Sequence, residues 1–274
     1  MATKTPPPDD ILRERARRLG IYGLLGRWDE LGDQPWVPVL LDCEDDERQR
    51  RSLERRIRYA KIPRFKPMCD FDWAWPEDVD RQQIEELFTF GFLTEAANVV
   101  LVGTAGLGKS MIAQNLAHQA LLRGHTVHYT TASAMLNDLA AQDSAAALAR
   151  RLRRYCQPEL LVCDEVGYLA YDTRYADLLF EVVTRRYQTP GRSMIITTNR
   201  VFQEWNQVFP NAACVVSLID RLVHRAEIVS IAGESYRLKE ATERAAQKAK
   251  NRNGKKPRTS RQSPLATTTP EGGD

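Results

Sequence analysis

Residues 98–110, Asn-Val-Val-Leu-Val-Gly-Thr-Ala-Gly-Leu-Gly-Lys-Ser, constrain this chain more than any other stretch. Four apolar residues, 99–102, run into a glycine-rich turn, and an amphipathic run begins at Lys109 and Ser110. The spacing matches G-x-x-x-x-G-K-[ST] completely, in the strand, loop and helix context that the motif requires. Gly103, Gly106 and Gly108, with Thr104, Ala105 and Leu107 between them, let the main chain approach a polyphosphate. Their N–H groups turn inward as an anion nest, and the following helix aims its positive end at the same place. Lys109 is then the side chain for the β- and γ-phosphates and Ser110 the ligand for Mg²⁺. The stretch predicts a domain that binds a nucleoside triphosphate.

Downstream, residues 126–129, 160–163, 193–197 and 228–231 read as strands separated by helical patterns, the alternation of an α/β fold with a parallel sheet. The strand at 160–163 ends in Asp164 and Glu165. An aspartate so placed in a P-loop ATPase supports the Mg²⁺ shell, and a glutamate after it polarises the attacking water. Asn199 follows the strand at 193–197. Ligands in parallel α/β sheets bind beyond the carboxyl ends of the strands, so Asn199 is a candidate for orienting that water. Residues 217–225 read as a short helix that contains Arg221 and Arg225.

Upstream, three consecutive prolines make residues 1–8 a disordered lead. Asp9 is placed to cap a helix carrying Ile11, Leu12 and Leu19, and a second short helical segment follows Gly20. Pro35 and Pro38 bracket a turn. Residues 39–58 then read as a longer helix with Leu40, Leu41, Leu53 and Ile57 inward. Residues 61–76 hold three prolines and four aromatics and describe an extended linker anchored by its rings, which either pack as core or wall the base pocket.

The net charge of +3 hides a segregated pattern. Residues 42–47 contain five acids, residues 48–66 nine Lys or Arg against Glu54 alone, and residues 243–261 eight Lys or Arg against one acid. Two basic runs on an NTPase point to a polyanionic partner. The five cysteines are scattered and the four histidines form no H-E-x-x-H, so a disulfide framework and a zinc site are both unsupported. Without an 18-residue apolar run or a secretory N-terminus, the expectation is a cytoplasmic protein with no membrane partner.

The motif order is that of AAA+ ATPases: a P-loop, then Asp-Glu, then Asn after a separate strand, then Asp220-Arg221-Leu222 in a short helix. Residues 35–240 more closely resemble the IstB-like ATP-binding proteins, helper ATPases of bacterial insertion-sequence transposition related to DnaC helicase loaders and DnaA. The stretches that carry the resemblance include LERRIRYAKIP, FDWAWPEDVDRQQIEEL, GFLTEAANVVLVGTAGLGKS, ELLVCDEVGYLAYD, IITTNR and IDRLVHRAEIVSIAGESYRLK. The resemblance implies a five-stranded parallel sheet sandwiched by helices, and the chain leaves no room after the fifth strand for the helical lid domain of typical AAA+ modules. Patterning and composition divide it into a basic helical module at 1–60, a linker at 61–78, the ATPase domain at 79–240 and a basic disordered tail at 241–274.

It further implies that residues 103–110 bind ATP, that Ser110 and Asp164 serve Mg²⁺, and that Lys109, Asp164, Glu165 and Asn199 form the hydrolytic set. Arg221 becomes the arginine finger inserted into a neighbouring subunit of a homo-oligomer, with Arg225 and Arg237 competing for that role or for a second sensor. The implied partners are double-stranded DNA and a transposase. A helicase loader or a nucleotide-switched adaptor with negligible hydrolysis would share the same core.

Overall fold

A computed structural model describes residues 9–168, 172–209 and 213–253. The expected lead at 1–8 and the tail beyond 253 lie outside the described residues. Six strands form one sheet among the described residues: β1 (Asp78–Val79), β2 (Asn98–Gly103), β3 (Val127–Thr131), β4 (Leu160–Val166), β5 (Ser193–Thr198) and β6 (Ala226–Ala232). Their spatial order is β1-β6-β2-β5-β4-β3. The five predicted strands are parallel, with the P-loop strand β2 between β5 and β6. The sixth, β1, pairs antiparallel with β6, Asp78 opposite Ala232 and Val79 opposite Ile231. Two residues carry no alternation to read, and β1 exists because β6 offers an unpaired edge for them to cover.

Alternation along the strands divides the core. Val99 and Leu101 face one side of the sheet, and Val100 and Val102 face the other. The first side is covered by α5 (Arg81–Leu87), α6 (Gly91–Thr94) and α7 (Lys109–Leu122), the helix that leaves the P-loop. Ile112, Leu116, Ala120 and Leu121, expected on its inner face, are buried. The second side is covered by α8 (Ala132–Ala140), α9 (Ala145–Cys156), α10 (Thr173–Gln188), α11 (Trp205–Val208) and α12 (Val215–Val223). Side-chain caps start several of these helices: Asp80 accepts from the Gln83 N–H at 2.9 Å, Ser144 from Ala147 at 3.2 Å and Asp172 from Tyr175 at 3.0 Å.

At the N-terminus, α1 (Asp9–Arg18), α2 (Tyr22–Leu25) and α3 (Trp28–Leu31) pack with the start of α4 (Trp36–Ala60) around Leu12, Ala16, Trp28, Val37 and Leu41. Pro38 lies inside the first turn of α4, where a missing N–H costs nothing, so the expected turn between Pro35 and Pro38 is helix instead. The inward face also differs from expectation. Leu41 is buried, but Leu40 is 40% and Ile57 47% exposed. The 25-residue helix has two separate partners, α1–α3 at one end and the sheet layer at Ala60 at the other, and no single stripe faces both.

Beyond β6, α13 (Tyr236–Asn253) is helical throughout its described length. Among the described residues no helix is long and apolar enough to cross a membrane.

Candidate nucleotide site

The P-loop joins the carboxyl end of β2 to α7 at the centre of the sheet. Gly106 and Gly108 both have φ of +88°; a Cβ on Gly106 would lie 2.1 Å from Ser235 Oγ, and one on Gly108 2.5 Å from Phe71 Cε2. Glycine is therefore required by conformation and by space. The loop is also pinned to the turn before α13: Thr104 Oγ1 donates to the Gly233 carbonyl at 3.2 Å, and the Tyr236 N–H to the Gly106 carbonyl at 3.1 Å.

Lys109 folds back into the loop, its Nζ donating to the carbonyls of Gly103 at 2.6 Å and Thr104 at 2.7 Å. It is 4% exposed, and burial pushes its pKa down to about 8. A buried ammonium whose hydrogen bonds go only to main-chain carbonyls is suited to an incoming polyanion. Ser110 Oγ donates to Asp164 Oδ1 at 2.9 Å. One hydroxyl beside one carboxylate fits Mg²⁺, which commonly takes one or two protein oxygens and fills its shell with phosphates and water.

Asp164 is buried and accepts two further hydroxyls, from Tyr129 and Thr197. Glu165 is exposed, adopts φ of +63° and lines the cleft. Between the pairs Cys163–Ile196 and Val166–Thr198 the β4–β5 register shifts, so Asp164 and Glu165 together oppose Thr197. This β-bulge sends two consecutive acids to useful places, one under the P-loop and one into the cleft. Asn199 lies one residue past β5, whose Thr198 is registered with Val102 of the P-loop strand and Val166 of the acidic strand. Its Oδ1 is buried without a hydrogen-bond partner, a polar atom left for something to satisfy.

A cleft of about 380 Å³ opens over the P-loop, lined by Lys109, Ser110 and Glu165; Asp164 and Asn199 are not part of its lining. One wall is the strap of residues 64–76, which contributes Phe65, Phe71 and Trp75. Phe71 also belongs to the buried core, so the strap aromatics both pack as core and line the cleft. The other wall is the first turn of α13, with Tyr236, Arg237 and Glu240.

Arg221 is elsewhere. Its guanidinium lies 4.6 Å from the Phe180 ring centroid and donates to Thr184 Oγ1, both on α10. With Arg225, Arg186 and Arg192 it lines a cavity of about 490 Å³ that includes Asn98 and Met194, at the amino ends of β2 and β5. Thus Arg237 is beside the P-loop of its own chain, whereas Arg221 and Arg225 are at the opposite end of the strands.

Tyr129, Thr197 and Arg186 were not singled out from sequence. The signal for Thr197 is a polar residue near the end of the apolar run Ser-Met-Ile-Ile-Thr-Thr. Arg186 carries none: it is 2% exposed and donates to the carbonyls of Tyr155, Pro158, Glu159 and Ser193, tying three elements together from within an ordinary helix.

A central P-loop strand separated from the acidic strand by the asparagine-bearing strand, with helices on both faces, defines a P-loop NTPase fold of AAA+ type. A crystal structure of DnaI shares the fold, with a TM-score of 0.51 and 16% identity over 61% of this chain and 90% of that one. The chain belongs to the IstB-like ATP binding protein family, whose model matches residues 20–244. It is 35% identical to a protein of Geobacillus stearothermophilus named for ATP binding in insertion sequence IS5376, over 84% of this chain and 94% of the relative. A similarly named protein of insertion sequence IS21 in Pseudomonas aeruginosa is 32% identical over 77% of this chain and 79% of its own length.

Proposed function

We propose that the chain is an ATP-dependent, DNA-binding ATPase of insertion-sequence transposition, which works in the cytoplasm as a homo-oligomer on double-stranded DNA and recruits or activates a transposase. The observation that carries the ATPase reading is the bulge: it puts Asp164 on Ser110 and Glu165 into the cleft beside the same loop.

Residues 103–110 would cradle the triphosphate, and Lys109 would neutralise the β- and γ-phosphates. Ser110 and Asp164 would hold Mg²⁺, which when bound draws charge from the phosphate oxygens. Glu165 takes a proton from the attacking water, and Asn199 turns that water towards the γ-phosphorus. The P–O bond to the leaving ADP then breaks. Arg237 approaches the cleft from its own chain and suits a second sensor; Arg221 is left to serve a neighbour.

DNA binding is supported by charge that the fold leaves unspent. Arg48, Arg50 and Arg51 of α4 are tied to Glu44, Glu47 and Glu54. Arg55, Arg58, Lys61 and Arg64, further along, have no ion pair among the described residues. The transposase partner rests on the names of the relatives.

The test combines turnover with DNA retention. Glu165→Gln should keep ATP affinity while phosphate release falls by about 10²-fold or more. DNA affinity of the ATP-loaded protein should fall steeply as salt rises, because phosphate contacts release counterions. Unchanged turnover in Glu165→Gln removes Glu165 as the base, a wild-type chain that binds ATP without releasing phosphate removes the hydrolysis reading, and absence of DNA retention at low salt removes the DNA reading. A pull-down against the transposase encoded beside the gene and against a replicative helicase assigns the partner.

A further inference from the structure

The β-bulge in β4 needs something to hold it. Consecutive residues of a regular strand point to opposite faces, and Glu165 escapes that rule by adopting a left-handed backbone that non-glycine residues rarely choose. Such a conformation persists where the surroundings determine it. Thr197 is the residue of β5 that faces the bulge, between Ile196 opposite Cys163 and Thr198 opposite Val166. It is 1% exposed. Its hydroxyl donates to Asp164 Oδ1 and accepts the Glu165 N–H at 2.9 Å.

One oxygen atom thus touches both acids, a carboxylate of the first and the main chain of the second. Ser110 and Tyr129 reach only Asp164, and no other hydroxyl is hydrogen-bonded to the Glu165 N–H among the described residues. Two residues further along the chain, just past the strand, stands Asn199.

We propose that Thr197 is a positioning residue for hydrolysis: its hydroxyl, rather than its methyl group, locks the bulge so that Asp164 stays on Ser110 while Glu165 points into the cleft. The proposal rests on the hydrolysis reading above. Its chemistry separates hydroxyl from shape, since valine replaces threonine with nearly the same volume and no hydrogen bond, whereas serine keeps the hydroxyl and loses the methyl.

The experiment compares Thr197→Val and Thr197→Ser with the wild-type chain for steady-state ATP turnover and for the Mg²⁺ concentration at half-maximal binding of a fluorescent ATP analogue. In Thr197→Val, kcat should fall about 10- to 100-fold, the scale of losing a hydrogen bond to a charged group, with KM for ATP within about threefold. The Mg²⁺ midpoint should rise several-fold. Thr197→Ser should stay within about threefold of wild type in all three. Thr197→Ala reads the same loss of hydroxyl if the valine chain does not fold.

Wild-type kcat and Mg²⁺ midpoint in Thr197→Val would overturn the proposal. So would equal losses in the valine and serine chains, or a rise in KM that accounts for the lost turnover, since either result assigns Thr197 to packing. If wild-type protein binds ATP without hydrolysing it, the hydrolysis reading fails separately, and the Mg²⁺ midpoint still decides whether Thr197 positions Asp164.

Discussion

At Lys109 the fold stores an electrostatic cost that a ligand relieves. Burial holds the ammonium at a pKa of about 8, against 10.5 for an exposed lysine, and its nearest oxygens are carbonyls. Triphosphate would favour the charged form, so the bound pKa exceeds the free one. Binding therefore takes up a proton above about pH 8, and affinity falls as pH rises from there. Calorimetry at pH 8.5 in buffers of different ionisation enthalpy should show this uptake, and Lys109→Met should lose it together with binding. The same depression acts on folding. Between about pH 8 and 10.5 the unfolded chain holds a proton that the folded chain has released, so the contribution of Lys109 to stability improves as pH rises. These residue-scale features were largely legible beforehand, because the P-loop, Asp164–Glu165 and Asn199 are each announced by their immediate neighbours. Thr197 and Tyr129 were not, since their role depends on a hydroxyl meeting Asp164 across 33 and 35 residues of chain.

Among the elements, the strap and α13 wall the cleft from within the chain. Trp75 Nε1 donates to the Glu234 carbonyl at 2.8 Å, Lys239 pairs with Asp72 at 3.2 Å, and Lys66 with Glu240 at 3.4 Å. Lys239 also lies 4.2 Å from the Trp75 ring centroid. Each contact is partly solvated and worth about 1 kcal/mol or less, so the latch is built to open. Stopped-flow release of a fluorescent nucleotide should quicken about two- to fivefold in Asp72→Ala, and about tenfold in Trp75→Ala, which loses both the hydrogen bond and the cation–π contact. The melting temperature of Asp72→Ala should change by less than about 2 °C. Sequence patterning marked the strap as an anchored segment whose rings pack as core or wall a pocket, but not its partners beyond β6, because those contacts join residues 159 to 174 positions apart. The two-residue β1 and the outward Leu40 and Ile57 escaped for the same reason: non-local partners decide them.

For the whole molecule, the decisive fact is the length of β2. Arg221 stands at the amino ends of the strands and the P-loop at their carboxyl ends, about 17 Å apart along the sheet. With Arg221 as the proposed finger, one chain would carry a receptor at one end and a donor at the other, the head-to-tail arrangement that builds rings or filaments. Arg221→Ala should bind ATP normally and lose turnover by about 10³-fold, and Lys109→Ala should bind none. Mixing the two inactive proteins should restore measurable hydrolysis, since an intact P-loop then meets an intact Arg221 across an interface. A mixture that stays inactive, alongside a mixture of Arg225→Ala with Lys109→Ala that recovers, would move the finger to Arg225. The stem of α13 reaches further still. Its first turn walls the cleft, and the helix continues through the exposed Arg244 and Lys248 to Asn253. By thermodynamic reciprocity, any polyanion that grips this helix and shifts its first turn changes nucleotide affinity by some factor, and nucleotide must change the grip by that same factor. On the proposed reading, with DNA as that polyanion and ATP as the nucleotide, cargo and fuel would weigh on opposite ends of one beam.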